Sequence, residues 1–454
     1  MSLTYDPQAP RLQTTTLGGV TDTRTYDAFG QVQTYTARFG TTVLYDVTYS
    51  RDALGRIIAK DETLQGSQKL TEYGYDEVGR LITVSENGAV VRAYEYDDNG
   101  NRTAFHDVEH GTTTLGTYDA QDRLLTYGTL TYTYTADGAM RTKTDTSTNP
   151  PQATTYGYDA LGNLVRVDLP DGRVIEYLID GNQRRVGKKI NGVLERQWIY
   201  GDDLQIVADL DGAGNLASRF VWVGEKAGED LAARAVAVRL SLIELDGNAV
   251  EPSHVIENGT LFKIIASEIG LSKIRVQVDS GLVENAVFDE WLGMPNGSMQ
   301  FLPAAGVGIY DNDTKLFRWG ARDYDPNAGR FISSDPRLVG RDPNKYSYCM
   351  NDPINFVDTN GMNAERVACR QDAKYDYDSC ANACRSNVLD VICDLFGDDT
   401  LRSCEESCFA KLRDDLSLCP RDPSPYPFPE YYPRQPRDRT RKSNRPARTG
   451  IARP

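Results

Sequence analysis

A short motif that returns every 21 to 25 residues or so does most to limit what this chain can fold into. It reads Thr-Tyr-Asp-Ala-Phe-Gly around Asp27, Arg-Asp-Ala-Leu-Gly-Arg around Asp52 and Tyr-Gly-Tyr-Asp-Glu-Val-Gly-Arg around Asp76. Further copies surround Asp97, Asp119 and Asp159, and Tyr134-Thr-Ala-Asp-Gly138 is a degenerate one. Side chains alternate along a strand, so Tyr-x-Tyr puts two aromatics on one face. Asp at the first position of a tight bend and Gly at the fourth is the preference of a type I turn. An apolar pair such as Leu81-Ile82 or Leu164-Val165 then begins the return strand. Each unit is thus a β-hairpin. One hairpin is marginal alone, so a row of them must pile into a long, twisting antiparallel sheet.

This pattern assigns the Asp and Arg residues of the repeats to turns and edges rather than to catalysis. His106 and His110 have a spacing that suits a metal on a helix, but they fall between strand units and lack further ligands. The reading carries no metal and no cofactor.

Composition narrows the function. The chain has 454 residues and a net charge of −15, which argues against a nucleic-acid binder as a whole. No run of about 18 apolar residues is present to span a membrane. The first residues, Met-Ser-Leu-Thr-Tyr-Asp, lack the basic and apolar regions of a signal peptide. Either export takes another route or the chain is part of something longer.

The repeats, together with the segment that follows them, resemble the RHS or YD-repeat family over most of residues 20–361. The strongest match is Leu316-Phe-Arg-Trp-Gly-Ala-Arg-Asp-Tyr-Asp-Pro-Asn-Ala-Gly-Arg-Phe-Ile-Ser-Ser-Asp-Pro336, continuing in Asn344-Lys-Tyr-Ser-Tyr-Cys-Met-Asn-Asp-Pro-Ile-Asn-Phe-Val-Asp-Thr-Asn-Gly361, which is similar to the RHS-associated core. The resemblance implies a mainly β fold, a curved or partial β-shell of stacked hairpins able to enclose its own C-terminal segment. It also implies self-cleavage just after the last glycine of the core, between Gly361 and Met362, with an arginine and two aspartates taking part. By position these are Arg330, Asp335 and Asp358. Two close carboxylates do not both ionise easily, so one stays protonated as acid while the other activates water. Two departures stand out: Leu338 replaces the glycine of the first Asp-Pro-x-Gly, and Thr359 replaces the proline of the second.

The expected organisation is a repeat sheet over 1–225, a divergent repeat segment with a helical insertion over 226–300, the core over 301–361, a cysteine-rich piece over 362–419 and a tail over 420–454. Within the divergent stretch, 226–239 reads as a helix from its alanines, Ser267-Glu-Ile-Gly270 stands where the family has a different motif, and Phe288-Asp-Glu-Trp-Leu-Gly293 looks like a repeat with one residue added.

Seven of the eight cysteines follow residue 365, and all but Cys393 are spaced 11, 4, 20, 4 and 11 apart. Eleven residues make three helical turns plus about 20°. Two cysteine stripes on two helices, broken near Gly397-Asp-Asp399, would therefore face each other in an antiparallel hairpin. The mirror spacing favours Cys384–Cys404, Cys380–Cys408 and Cys369–Cys419, although sequence does not fix connectivity. A thiolate metal site is the rival, with Cu(I) the best-suited guest. Cys393 is left free, or to pair with Cys349 or with another chain. Disulfides would require an oxidising, secreted or cell-surface destination.

The tail is Pro-rich and then Arg-rich, and it reads as disordered, with residues 434–454 offering a weak contact for nucleic acid or an anionic surface. Three functions stay open. One is a carrier shell releasing a C-terminal effector or toxin, with an N-terminal delivery module or secretion-system component and an immunity protein as partners. Another is an uncleaved structural or adhesive surface protein with an inert cap. The last is an enzymatic effector within 362–454, where no nucleophile–base set is recognisable.

Overall fold

The computed structural model describes residues 1–6, 11–201, 204–221, 253–266, 272–285, 288–293, 303–304, 308–336, 344–358, 360–362 and 365–366. The expected helix at 226–239, Ser267–Gly270, the cysteine-rich piece with its three pairings, and the tail all lie outside these residues.

From Ser2–Tyr5 to Val283–Asn285 the chain forms a 25-stranded sheet in which each strand pairs antiparallel with its neighbours in sequence. The sheet runs past residue 225, because the strands His254–Glu257, Thr260–Ala266 and Ser272–Gln277 continue the same meander. A separate five-stranded sheet, Pro303–Ala304 to Arg330–Phe331, and the short pair Phe356–Val357 with Glu365–Arg366 follow. The described residues all fall within one unit, Met1–Arg421.

The repeat works as its sequence suggests, with one addition. At Asp76, the Gly79 amide donates to the Asp76 carbonyl at 3.1 Å, which closes the type I turn. The Asp76 carboxylate then accepts from the amides of Val78 and Arg80 at 3.1 and 2.8 Å. The fourth residue is left-handed (Gly79, φ 93), and this adds a bulge that shifts the register of the two strands. Glycine takes that conformation without strain.

The arginine after the turn locks neighbouring repeats together. Arg80 Nε donates to Asp76 at 2.6 Å, and its guanidinium stacks 5.0 Å from the ring of Tyr96 in the next repeat. The Tyr96 hydroxyl reaches back to the Leu81 carbonyl at 2.8 Å. The same hydroxyl-to-carbonyl bond recurs from Tyr75 to Ile57, Tyr134 to Leu124 and Tyr200 to Arg185. The repeat residues are therefore structural. His106 is bonded to Glu95 and Thr113, and His110 to Asp107.

The sheet rolls until its last strands cross its first. Ile265, Ile274 and Val276 share one apolar cluster with Val20, Tyr45 and Val47. Between them, buried Lys263 pairs with Asp22, and Lys273 pairs with Glu62. The described ladders run only between strands consecutive in sequence, so no described ladder crosses this seam. The alternating aromatic and aliphatic residues of one sheet face thus line an interior.

Candidate functional site

The repeat turns lie along one edge of the rolled sheet, and described residues of 308–336 and 344–358 bind to that edge turn by turn. Asn355 accepts from the Ile57 amide at 2.8 Å, and the Asn351 side chain donates to the Gly100 carbonyl at 2.9 Å. Tyr346 donates to the Gly138 carbonyl at 2.8 Å, and Arg318 to Asn163 at 2.9 Å. Deeper in the interior, Arg185 meets Asp323 at 2.8 Å and Lys143 meets Asp325 at 2.7 Å. These aspartates belong to the core motif, so much of that motif's charge neutralises the wall.

One group of residues is not explained by that role. The strands Leu316–Trp319 and Arg322–Asp325 are joined by a tight turn at Gly320-Ala321. The chain at 360–361 lies directly on this turn, with the Ala321 amide donating to the Asn360 carbonyl at 2.9 Å. A β-carbon on Gly320 or Gly361 would run into the opposing backbone, so both positions need glycine. The close approach places Gly361 beside the buried Arg322 guanidinium, whose Nε donates to the Gly361 carbonyl oxygen. Its other nitrogens reach the Lys345 carbonyl at 3.0 Å, Asp358 at 3.2 Å and Asp335 at 3.8 Å. The Phe331 ring lies 3.5 Å beneath.

Beyond the glycine, the Met362 amide donates to Asp358 Oδ1 at 2.9 Å and to Asn360 Oδ1 at 2.8 Å. The Gly361–Met362 peptide is held on both sides, its oxygen by a cation and its N–H by a carboxylate. Both oxygens of Asp358 are engaged as acceptors, Oδ2 from Arg322 and Oδ1 from Met362. The Asp335 side chain is more open than that of Asp358, 11% against 3% exposed. Behind Asp358, burial and then the Asp358 charge push the free, buried Cys349 thiol well above its ordinary range.

Of the residues singled out from sequence, Asp335, Asp358, Gly361 and Met362 come together here. Arg330 lies elsewhere: it bridges to Ser347, donates to the Asp122 carbonyl at 2.5 Å and stacks on Tyr118 and Tyr346. Arg322 is the arginine that touches both aspartates and the peptide. Sequence reasoning passed over it because both arginines sit in the motif. The glycine-on-glycine approach that selects Arg322 joins residues far apart in the chain.

Comparisons with known proteins agree with this architecture. The Teneurin YD-shell family model matches residues 1–208. Teneurin-3 of Danio rerio is 27% identical over 351 residues, covering 74% of this chain and 12% of its own length. Toxin protein Tse5 of Pseudomonas aeruginosa is 26% identical over 384 residues, covering 75% of this chain and 29% of its own. The chain thus spans only a small part of these relatives. The crystal structure of TcdB2-TccC3-TEV shares the fold, with a TM-score of 0.51 and 17% identity over 80% of this chain and 19% of that one. The rolled meander of aspartate-led hairpins defines a β-shell protein. The chain belongs to the RHS or YD-repeat family. Among the described residues no helix is long and apolar enough to cross a membrane.

Proposed function

We propose that this chain is a carrier shell that cuts itself between Gly361 and Met362 and so frees residues 362–454 as an effector delivered outside the producing cell. The observation that carries the reading is the clamped Gly361–Met362 peptide, with Arg322 on its oxygen and Asp358 on its nitrogen. Asp335 takes a proton from water, whose oxygen attacks the Gly361 carbonyl carbon. Negative charge then gathers on the Gly361 oxygen, where the Arg322 guanidinium already stands. The C–N bond breaks as Asp335 returns the proton to the Met362 nitrogen. Asp358 holds Arg322 and the departing nitrogen in line.

Kinship with a protein named a toxin supports an effector role for the released segment. A delivery module, a secretion-system component and an immunity protein are the partners this reading brings, with a secreted or cell-surface destination. The second reading, an uncleaved adhesive or structural wall, is favoured by Leu338 and Thr359 at the two departures from the core motif. Intact mass of the purified chain, with and without reductant, decides between them. A fragment beginning at Met362 is expected, and a chain that stays whole through prolonged incubation rejects the carrier reading. The shift in mass on reduction counts the disulfides.

A further inference from the structure

Resting on the reading of Gly361–Met362 as the bond that is cut, we propose that Asp358 and Asn360 then form a binding site for a peptide ammonium, the new N-terminus at Met362. Before the cut, one amide hydrogen is shared between Asp358 Oδ1 at 2.9 Å and Asn360 Oδ1 at 2.8 Å. Hydrolysis forms the new C–O bond from water and breaks the C–N bond. At neutral pH the new carboxyl sheds its proton and the new amine takes one up. The nitrogen then carries three hydrogens and a positive charge, facing one carboxylate and one amide oxygen already in place. The Gly361 carboxylate appears against Arg322, which already donates to that oxygen. Each new charge arises beside its opposite, where hydrogen bonds are strongest.

The backbone supplies a second hold. Phe356 pairs with Arg366 and Val357 with Glu365 in an antiparallel ladder, and the cut falls in the loop between these strands. Hydrolysis nicks that loop and leaves the ladder intact. Asp358 and Gly361 are buried, so the ion pairs form away from bulk water. The ligand class is a free peptide amine on an extended chain that pairs with Phe356–Val357.

The test uses the full chain and an amine-directed acylating reagent near pH 7. Under these conditions α-amines, with an ordinary pKa of about 7.7–8.0, react ahead of lysines at about 10.4. The Met362 amine should be acylated at least about ten-fold more slowly in the native protein than after denaturation, and its fragment should elute with the shell. Asn360→Ala should speed both acylation and dissociation of the fragment. A chain that never yields the fragment rejects the cleavage reading and this site with it. A fragment whose amine reacts at the denatured rate leaves cleavage standing and overturns only the binding site. Equal protection in the Asn360→Ala chain also overturns it, because burial alone would then account for the slow reaction.

Discussion

Asp159 and Asp289 open the same turn and hold the same pair of amides, yet their carboxyls are displaced in opposite directions. Each accepts from the residues two and four positions on, at 2.9 and 2.9 Å for Asp159 and at 2.8 and 2.7 Å for Asp289. Around Asp159 burial is the largest single influence, but the hydrogen bonds from Asn163 and Leu161 together outweigh it, and the carboxyl is held below its ordinary value. Asp289 is half-buried between sheet and core beside buried Glu290, and desolvation of its carboxyl, with the Glu290 charge, pushes it up to about 7. Arg92 opposes that rise but is bonded to Glu290, and the Tyr94 and Tyr324 hydroxyls complete the surroundings.

A pH dependence follows. The folded chain keeps a proton on Asp289 that the unfolded chain loses above its ordinary value of 3.8. This contribution is full in acid and is lost as pH rises through about 7. Asp209 and Asp352 are raised in the same sense, to about 6, so a difference between two chains is the proper measurement. Asn at 289 keeps the acceptor oxygen for the turn and removes the titration. The Asp289→Asn chain should match the wild type near pH 4 and melt progressively higher than it from pH 5 to 8. A constant gap across that range would reject the assignment.

How far the sequence was legible follows from the range of each interaction. The Asp76 turn and the Arg80 lock are local, so tyrosine, aspartate, glycine and arginine at fixed offsets announce them. Phe288–Gly293 was legible as a repeat for the same reason, although its extra residue is only apparent: Leu292 takes the left-handed position that glycine holds elsewhere (φ 69). Its inward placement was not legible, because the partners Arg92 and Tyr324 are distant in the chain. The strands from 254 to 285 lie in the divergent repeat segment and were not individually legible, because they lack the aspartate turn while pairing as regularly as the rest. In the site, Asp335 and Asp358 came from motif position alone, and the choice of Arg322 over Arg330 needed the contact between Gly320 and Gly361.

The left-handed turn position can be tested without steric interference. Gly162 has φ 86, and a β-carbon there meets open space. Gly162→Ala therefore isolates the backbone preference and should cost about 1–2 kcal/mol. Gly162→Asn should cost less, since Asn visits this region more readily. Denaturant unfolding measures both. Equal stability of Gly162→Ala and wild type would reject the turn geometry.

Arg322 and Arg330 should separate by what they change. Arg322→Lys keeps a charge but not the planar fork that reaches Gly361, Lys345 and Asp358 together. Appearance of the fragment beginning at Met362 should slow by about 10²-fold or more, as for the loss of an oxyanion donor. Arg330→Gln removes a contact to the wall at Asp122, and its effect should fall on thermal stability. Undiminished cleavage in Arg322→Lys would reject the role given to Arg322.

The seam that completes the roll depends on Lys263 and Asp22, both almost wholly buried and also in contact with Thr15. Burial pushes the Lys263 ammonium down, whereas Asp22 is lowered because Arg24 and Lys263 outweigh its burial. Removing one partner strands the other charge in the interior, at a cost of about 3–5 kcal/mol. Replacing both with apolar residues of similar volume avoids that stranded charge and is often neutral or better. Lys263→Met alone should therefore destabilise strongly, while Lys263→Met with Asp22→Leu should recover most of the loss, limited by Thr15 and Arg24 left without their acceptor. Melting temperatures of the wild type, the two single variants and the double variant form a cycle that reads the coupling directly. Additive losses would mean that the two side chains do not meet, and that the last strands do not cross the first.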